Sequence, residues 1–328
     1  MKSESKAVVF TAPETVEMRP VQLRELEAGD VLIETFWSSV SAGTEKMLFE
    51  GKLSPMPMTD YPVIPGYETV GKIIDKGKGV ADDCLGKFVY VSGSFGYVGV
   101  NAAFGGASQY IVSPYHKTTR LDVLQKESLH DAAVGLALPL GATALHIIDL
   151  ALVAGKKVLI LGQGVVGLLA AEFAKRFGAE KVIATDLSAF RLSKSVADVK
   201  IHTPQLPLSD ALGGALVDVV IDCSGSMPAI EESLKQLRMS GTVVLGGFYE
   251  RIDLAYYVAF MKEVRFLAAK QWALGDLERT LDIIATHNID FKKLFTHQVS
   301  AWNGVAHAYR TAFYDQTCLK MVLNWQTD

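Results

Sequence analysis

The fold of the chain is decided by the stretch Val158-Leu-Ile-Leu-Gly-Gln-Gly-Val-Val-Gly167. Its first four residues are apolar and lead into a glycine, as a short buried strand does before a turn. Three glycines follow with the spacing G-x-G-x-x-G, and residues Val165–Phe177 have the composition of a helix. The stretch therefore predicts a strand, a tight turn and a helix in direct succession.

This turn has the residues needed to hold a dinucleotide. Gly162 allows the tight turn, Gly164 lets the backbone approach a pyrophosphate, and Gly167 lets the helix pack closely on the strand. Val165 and Val166 open the helix, whose N-terminus favours negative charge. We predict that these five residues contact the cofactor.

An acidic residue stands where a dinucleotide-binding turn needs one. Asp186 follows the apolar run Val182–Thr185, about 20 residues after the turn. A carboxylate there binds the ribose hydroxyls of NAD and repels the 2′-phosphate of NADP. The sequence therefore favours NAD as cofactor. Arg191 leaves NADP open as an alternative, because its guanidinium could meet a 2′-phosphate.

Strand-like and helix-like segments alternate on both sides of the turn. This alternation predicts an α/β fold with a Rossmann doubly wound parallel sheet. Further strands are predicted at Asp218–Asp222, Thr242–Leu245, Val264–Ala268 and Lys320–Trp325. Helices are predicted at Asp131–Leu150, Ile230–Met239 with Gly241 after it, Leu277–Ile284 and Trp302–Phe313.

The part of the chain before Asp131 is rich in glycine and strand formers instead. Short runs between turn signals indicate a β-rich, barrel-like domain. The predicted strands are Lys6–Thr11, Asp30–Trp37, Val70–Lys76, Lys87–Val91 and a turn followed by a strand over Gly105–Val112.

Composition excludes several classes of protein. Hydrophobic residues make up 49% and charged residues 21% of the 328 residues, which is typical of a folded globular chain of about two domains. The longest uncharged stretch, Ala132–Ile148, is interrupted by Pro139, Thr143 and His146, so we expect no membrane span and assign the hydrophobicity to a buried parallel sheet. A net charge of −4 without a basic cluster predicts no nucleic-acid partner.

The three cysteines, Cys84, Cys223 and Cys318, are widely spaced. Their odd number and the lack of a CxxC pair argue against a disulfide framework and against a structural zinc site. We expect a reduced, cytoplasmic setting.

Four segments resemble the medium-chain dehydrogenase/reductase (zinc alcohol dehydrogenase-like) superfamily. They are Ala42-Gly-Thr-Glu45, Pro65-Gly-Tyr-Glu-Thr-Val-Gly71, Asp218–Gly225 and Cys318–Leu323. The resemblance implies a GroES-like catalytic domain over residues 1–135, a Rossmann NAD-binding domain over 136–272 and a C-terminal return to the catalytic domain over 273–328. It also implies cofactor contacts by Ser224, Gly246, Phe248 and Lys320, and a homodimer paired through Val264–Ala268.

The chain departs from the superfamily at the metal. In zinc-containing members the cysteine of C-G-[ST]-D and the histidine of G-H-E bind the catalytic ion, and here those positions are Ala42 and Tyr67. Glu45 and Glu68 remain, but two carboxylates without nitrogen or sulfur ligands make a poor zinc site. We therefore predict NAD as the cofactor and no zinc.

Without a metal, side chains must handle the proton of an alcohol. The candidates are Tyr67 as a base if its pKa is lowered, Thr44 as a proton relay, Glu45 and Glu68 as base or supporting groups, and His146. Four of them have a structural alternative: Tyr67 could fill the space of the metal, Glu68 could be a structural hydrogen-bond partner, Glu45 could cap a helix, and His146 could be a core residue. A substrate cleft is expected to involve Met47, Phe49, Met56, Met58, Phe95 and Tyr97.

The pairing of Ser41-Ala-Gly-Thr-Glu45 with Pro65-Gly-Tyr-Glu68 narrows the resemblance to the dehydrogenases of bacteriochlorophyll biosynthesis. That resemblance implies NAD-dependent oxidation of the 3-(1-hydroxyethyl) group of a bacteriochlorophyllide, a tetrapyrrole, to 3-acetyl. Two alternatives stay open: a zinc-less, NADPH-dependent quinone or enoyl reductase, and a non-catalytic nucleotide-binding sensor. Weak association with a membrane surface is also left open.

Overall fold

The computed structural model describes residues 2–53, 58–124, 133–249, 251–286 and 289–326. Its strands are β1 (Glu4–Ala12), β2 (Thr15–Leu23), β3 (Asp30–Val40), β4 (Val63–Pro65), β5 (Thr69–Lys76), β6 (Phe88–Val91), β7 (Tyr97–Val98), β8 (Asn101–Ala103), β9 (Tyr110–Pro114), β10 (Thr118–Arg120), β11 (Lys157–Leu161), β12 (Lys181–Asp186), β13 (Val199–His202), β14 (Val217–Asp222), β15 (Leu237–Leu245), β16 (Arg265–Ala268), β17 (His297–Ser300) and β18 (Met321–Asn324).

The α-helices of the described residues are α1 (Thr44–Phe49), α2 (Leu138–Ala151), α3 (Val165–Arg176), α4 (Ala189–Lys194), α5 (Leu208–Leu212), α6 (Met227–Gln236), α7 (Tyr256–Met261), α8 (Asp276–Thr286) and α9 (Val305–Tyr314). Short 3-10 turns lie at Asp82–Cys84, Tyr115–Lys117, Asp122–Leu124, Ala133–Ala137 and Phe291–Leu294.

The chain forms two compact units. The first consists of Met1–Pro139 with Leu281–Asp328, and the second of Leu140–Thr280. The sequence placed the corresponding boundaries after residues 135 and 272. The last part of the chain thus returns to the first unit through β18, which pairs antiparallel with β3.

The first unit is built from two sheets. One has the strand order β7-β2-β1-β4-β8, and the other has the order β10-β6-β5-β3-β18-β17 with β9 paired to β3. Phe10 lies at the centre of a core in which its ring meets those of Phe49 and Tyr309 edge to face. This core packs α1 and α9 against the first sheet.

The second unit is a six-stranded parallel sheet with the order β13-β12-β11-β14-β15-β16. Residues Val158–Leu161 of β11 are buried, as an apolar run in the middle of a parallel sheet should be. The chain order of the strands reverses beside β11, so the carboxyl ends of β11, β12 and β14 meet at one edge. Ligands bind at this edge in sheets of this kind. The predicted α/β fold with a parallel sheet is confirmed.

Four boundary predictions were wrong. In the helix predicted over Asp131–Leu150, residues Ala133–Ala137 form a 3-10 turn and α2 begins only at Leu138. Helix α6 ends at Gln236, since Leu237 is buried and opens β15 by pairing with Val217, and Gly241 lies inside that strand. Helix α9 starts at Val305, because Gly304 takes a left-handed conformation with φ +82°. The strand predicted within Gly105–Val112 begins only at Tyr110.

The apolar stretch around α2 is longer than the sequence count suggested. Ala133–Ala151 is long and apolar enough to cross a membrane by length and composition alone, but 61% of its most apolar window is buried within the protein. A buried core helix passes the same test, so this is weak evidence for a span. Asp131 and Ala132, at the start of the predicted helix Asp131–Leu150, lie outside the described residues.

Candidate functional site

The three glycines of the turn in the second unit have two different structural roles. Gly162 has φ +84°, and its N–H donates to the Thr185 carbonyl at 2.9 Å. A Cβ on Gly167 would lie 1.9 Å from the Gly162 carbonyl oxygen, whereas a Cβ on Gly164 would have no neighbour within 4 Å. The turn needs glycine at 162 and 167 for its own packing, while at Gly164 the backbone faces open space.

Helix α3 begins at this open position. Gly164 is its N-cap residue and, as a glycine, offers no side chain to accept from the first N–H groups of the helix. Val165 and Val166 form its first turn, so their N–H groups belong to a helix end that attracts negative charge. The geometry fits the pyrophosphate of a dinucleotide.

Asp186 is joined directly to the glycine turn. Its Oδ2 accepts from the Gln163 N–H at 2.6 Å, and its Oδ1 accepts from the Ser188 N–H at 2.7 Å. Each carboxylate oxygen can accept a second hydrogen bond, as a ribose diol would require. Arg191 follows on α4, with its N–H donating to Ser188 Oγ, and its Nε is buried without a partner among the described residues.

Asp222 is a site residue that the sequence analysis did not identify. It is fully buried at the end of β14, where its carboxylate accepts from the N–H and Oγ of Ser224, from the Gly225 N–H and from Tyr249 Oη. Its carbonyl accepts from the Gly246 N–H at 2.8 Å. Asp222 therefore ties together the two loops that carry Ser224, Gly246 and the exposed Phe248.

Burial and the Asp222 carboxylate raise the pKa of Tyr249, so this phenol stays a hydrogen-bond donor to Asp222. A signal for this role was present in the sequence, since an aspartate ending a buried strand directly before a Cys-Ser-Gly turn is placed to accept from that turn.

The first unit contains a buried ion pair that joins two sequence-predicted residues. Lys320 Nζ lies 2.6 Å from Oε2 and 2.9 Å from Oε1 of Glu68, and the two residues are 3% and 0% exposed. Lys320 Nζ also lies 3.3 Å from the Val40 carbonyl oxygen, and Ser39 Oγ donates to Glu68. The predicted contact of Lys320 with the cofactor stays a prediction.

Glu45 and Tyr67 meet at Ser41, beside this ion pair. Glu45 Oε1 accepts from the Ser41 N–H at 3.2 Å, and Ser41 Oγ lies 2.5 Å from Tyr67 Oη. The Thr44 side chain is close enough to Tyr67 to oppose part of the rise in the pKa of Tyr67. The structure therefore brings together four of the predicted catalytic residues, Thr44, Glu45, Tyr67 and Glu68.

The surroundings of this cluster shift the pKa values of Glu45 and Tyr67. Burial, and then the nearby charge of Glu68, raise the pKa of Glu45 to about 8. The same two causes raise the pKa of Tyr67 rather than lowering it. The lowered pKa that a phenolate base would need is therefore not provided, and Tyr67 is suited to pass a proton on while keeping one.

His146, the fifth predicted catalytic residue, belongs to the second unit. Its Nδ1 lies 3.6 Å from Oδ2 of the buried Asp276, which also accepts from Arg279 and from the Ala273 N–H. These contacts make His146 part of an ion network at the start of α8, which favours the structural alternative for this residue.

The predicted substrate residues have different surroundings. Phe49 is fully buried between Phe10 and Phe313, with no surface left for a substrate, so its prediction is corrected to a core role. Phe95 and Met58 are exposed. Met47 is half-buried, as is Tyr97, whose Oη donates to the Gly105 carbonyl. Met56 lies outside the described residues.

Each of the two units contains residues that match a known protein family. Residues 27–123 match the alcohol dehydrogenase GroES-like domain family, and residues 165–285 match the zinc-binding dehydrogenase family. The chain is 31% identical to the 2-desacetyl-2-hydroxyethyl bacteriochlorophyllide A dehydrogenase of Cereibacter sphaeroides, over 98% of both chains. It is 30% identical to the protein of the same name from Rhodobacter capsulatus, over 98% of this chain and 99% of that one.

Solved structures share the fold at lower identity. An alcohol dehydrogenase from Escherichia coli CFT073, complexed with NADH, superposes with a TM-score of 0.85 at 22% identity over 99% of this chain and 100% of that one. A zinc-binding dehydrogenase from Sinorhizobium meliloti, bound to NADP, gives 0.81 at 22% identity over 98% and 100%. With whole-length relatives at 30–31% identity, the chain belongs to the medium-chain dehydrogenase/reductase superfamily and is an oxidoreductase.

Proposed function

We propose that this chain oxidises the 3-(1-hydroxyethyl) group of a bacteriochlorophyllide to 3-acetyl with NAD and without zinc. The observation that carries the proposal is the identity of about 30% over almost the whole chain to two dehydrogenases named for such a substrate. The buried hydroxyl and carboxyl cluster around Ser41 supports it, because oxidation of an alcohol requires groups that accept and move a proton.

The cofactor proposal rests on the second unit. The Gly164 backbone and the start of α3 would hold the pyrophosphate, and Asp186 would hold the adenosine ribose. The loops tied by Asp222, with Ser224, Gly246 and Phe248, would contact the rest of the dinucleotide. When bound, NAD accepts a hydride at its nicotinamide ring.

In this proposal the first unit handles the proton. Tyr67 accepts a hydrogen bond from the substrate hydroxyl and donates its own proton to Ser41, which it already contacts. The Lys320–Glu68 ion pair adds no net charge next to the cluster, and burial together with the Glu68 carboxylate raises the pKa of Tyr67, so Tyr67 passes a proton on without becoming a phenolate.

Zinc independence is supported by the donor atoms at the positions where zinc-containing members have ligands. Ala42 offers none, the raised pKa of Tyr67 disfavours a phenolate ligand, and the Glu68 carboxylate is paired with Lys320. Within the described ranges, no three His, Cys, Asp or Glu side chains are grouped to hold a metal ion. These residues do not fit a zinc site, which takes three or four thiolate, imidazole or carboxylate ligands.

The test of the proposed function is turnover of the pigment. Purified protein mixed with 3-(1-hydroxyethyl)bacteriochlorophyllide and NAD should convert the pigment spectrum to that of the acetyl product, with one NADH formed per pigment. Absence of turnover with this pigment would contradict the proposal. If no alcohol at all were oxidised, the result would support the nucleotide-binding sensor.

A second candidate function keeps the same fold with a different cofactor. The feature that favours NADPH, and hence a quinone or enoyl reductase, is the buried Nε of Arg191, which has no partner within the described part of the chain. Arg191 lies one helical turn after Ser188. Parallel titrations with NADH and NADPH separate the two candidates. Tighter binding of NADPH would favour the reductase.

We further propose a homodimer formed in a cytoplasmic setting. Strand β16 is the outer strand of the six-stranded sheet, and its four residues are exposed. Exposed apolar side chains of Tyr256, Phe260 and Met261 lie on the neighbouring α7. Light scattering should give the mass of two chains. Phe266→Pro, which removes an N–H that points away from β15 at the edge of the sheet, should give the mass of one. A wild-type monomer would contradict the proposal.

A further inference from the structure

We propose that Glu45 stores the proton that the substrate hydroxyl loses on oxidation, receiving it through the hydroxyls of Tyr67 and Ser41. This inference rests on the proposed alcohol oxidation. In that reaction the C–H bond of the alcohol carbon breaks, and both of its electrons leave with the hydride for NAD. The O–H bond breaks as the carbonyl forms, and its proton needs an acceptor within the protein before it reaches water.

The geometry places Ser41 between Tyr67 and Glu45. Tyr67 Oη contacts Ser41 Oγ, and the N–H of the same serine donates to Glu45 Oε1. Ser41 is thus the residue that both other groups touch. When Tyr67 takes up the substrate proton and gives its own to Ser41, rotation of the Ser41 side chain away from Tyr67 would let its hydroxyl pass a proton to the Glu45 carboxylate.

Glu45 also has an oxygen available. Its Oε2 is buried without a hydrogen-bond partner among the described residues. A buried polar atom is rarely left unsatisfied, because it has lost its hydrogen bonds to water. Protonation of Glu45 lowers the cost of its burial, since it removes the buried charge and leaves a neutral carboxyl group.

The surroundings give Glu45 a different role from Glu68. Glu68 is neutralised by Lys320, which lies just before β18. The other titratable groups that face Glu45 are Tyr67, between β4 and β5, and Tyr309 on α9. Burial raises the pKa of Glu45 most, and Glu68 repels a charge on Glu45 more strongly than Lys320 attracts it, so the pKa of Glu45 is raised to about 8. An acceptor with such a value can both take up and release protons near neutral pH.

The test compares the pH dependence of kcat/KM for the hydroxyethyl pigment in the wild type, Glu45→Gln and Glu45→Asp. The wild-type rate should rise through an inflection near pH 8 and then level off. Glu45→Gln should lose the inflection and fall about 100-fold at high pH. Glu45→Asp should keep an inflection. As a matched control, Glu50→Gln, at the end of the same helix, should leave the profile unchanged.

Infrared difference spectra of the protein without substrate supply a second readout. Raising the pH from 6.5 to 9.5 should remove the band of one protonated carboxyl group in the wild type and not in Glu45→Gln. An unchanged inflection in Glu45→Gln, or the same band change in both proteins, would overturn the inference while leaving the proposed function intact. If the wild type did not oxidise the pigment, the proposed function and this inference would both be refuted, whatever the spectra showed.

Discussion

Lys320 Nζ lies 2.6 Å from Glu68 Oε2, and neither side chain reaches the surface of its unit. The two residues are 252 positions apart in the chain, so the contact forms only when the C-terminal segment returns to β3 through β18. A buried ion pair of this kind adds little net stability compared with apolar residues, but removal of one partner leaves an uncompensated charge.

We predict that Lys320→Met lowers the free energy of unfolding by about 3–5 kcal/mol, because Glu68 then stays buried without its partner. The double change Lys320→Met with Glu68→Gln should recover part of this loss. Urea denaturation followed by circular dichroism measures both values.

Lys52→Met is the matched control for this experiment. Lys52 pairs with Glu50 at 2.9 Å with a 71% exposed side chain, so its loss should change the free energy of unfolding far less than the loss of Lys320. Equal losses in the two lysine variants would contradict the special cost assigned to the buried pair.

The sequence predicted the second unit better than the first because the motifs of the second unit are formed by residues close together in the chain. The strand, turn and helix around Gly162 follow each other in the chain, and Asp186 comes one strand later. The buried cluster of the first unit depends on contacts between distant segments, so Glu68 and Lys320 were assigned separate roles. The direction of the pKa shift of Tyr67 could not be read from the sequence either, because it depends on burial. Similarly, Phe49 is an aromatic residue of the kind that lines a cleft, and only its ring contacts show that it lies in the core.

The raised pKa of Glu45 makes a prediction about stability. The folded state holds this proton up to about pH 8, whereas the unfolded chain releases it near its ordinary value of 4.5. Between these two values the unfolded state binds fewer protons, so the free energy of unfolding should fall as the pH rises, by at most about 1.4 kcal/mol per pH unit. This contribution is fully present below pH 4.5 and lost above pH 8.

Glu45→Gln should remove this dependence. The difference in unfolding free energy between variant and wild type should therefore grow in favour of the variant from pH 5.5 to pH 8. Glu25→Gln, an exposed change, controls for general charge effects. A difference that stays constant with pH would argue against a raised pKa.

Asp186→Asn is predicted to weaken NAD binding by about 10- to 100-fold, the usual cost of losing hydrogen bonds to a charged acceptor. Binding of NADP should change less or improve, because the repelling charge is removed. Calorimetric titration of both dinucleotides measures the two effects. Asp210→Asn, an exposed change in the same unit, should alter neither affinity. Unchanged NAD binding in Asp186→Asn would refute the ribose assignment.

Purified protein is predicted to contain well below one zinc ion per chain, because Ala42, Tyr67 and the ion-paired Glu68 leave too few ligands. Metal analysis by mass spectrometry measures the content. Treatment with a chelator should leave the activity unchanged, and added zinc should not increase it. Stoichiometric zinc that is needed for activity would overturn the metal-free proposal.

Alanine substitutions at the two later glycines of the turn are predicted to affect different properties, stability at Gly167 and NAD affinity at Gly164. Gly167→Ala places a Cβ 1.9 Å from the Gly162 carbonyl oxygen, so either the turn or α3 must shift, and we expect a loss of stability of about 1–3 kcal/mol. Gly164→Ala meets nothing within 4 Å and keeps an allowed backbone, with φ −69° and ψ −174°. Its stability should change by less than about 0.5 kcal/mol. NAD affinity should nevertheless fall at least tenfold, because the new methyl group occupies the space that a pyrophosphate would approach. Thermal unfolding without ligand and calorimetric titration with NAD measure the two properties separately. A Gly164→Ala variant that bound NAD as well as the wild type would show that the phosphates lie elsewhere on the second unit.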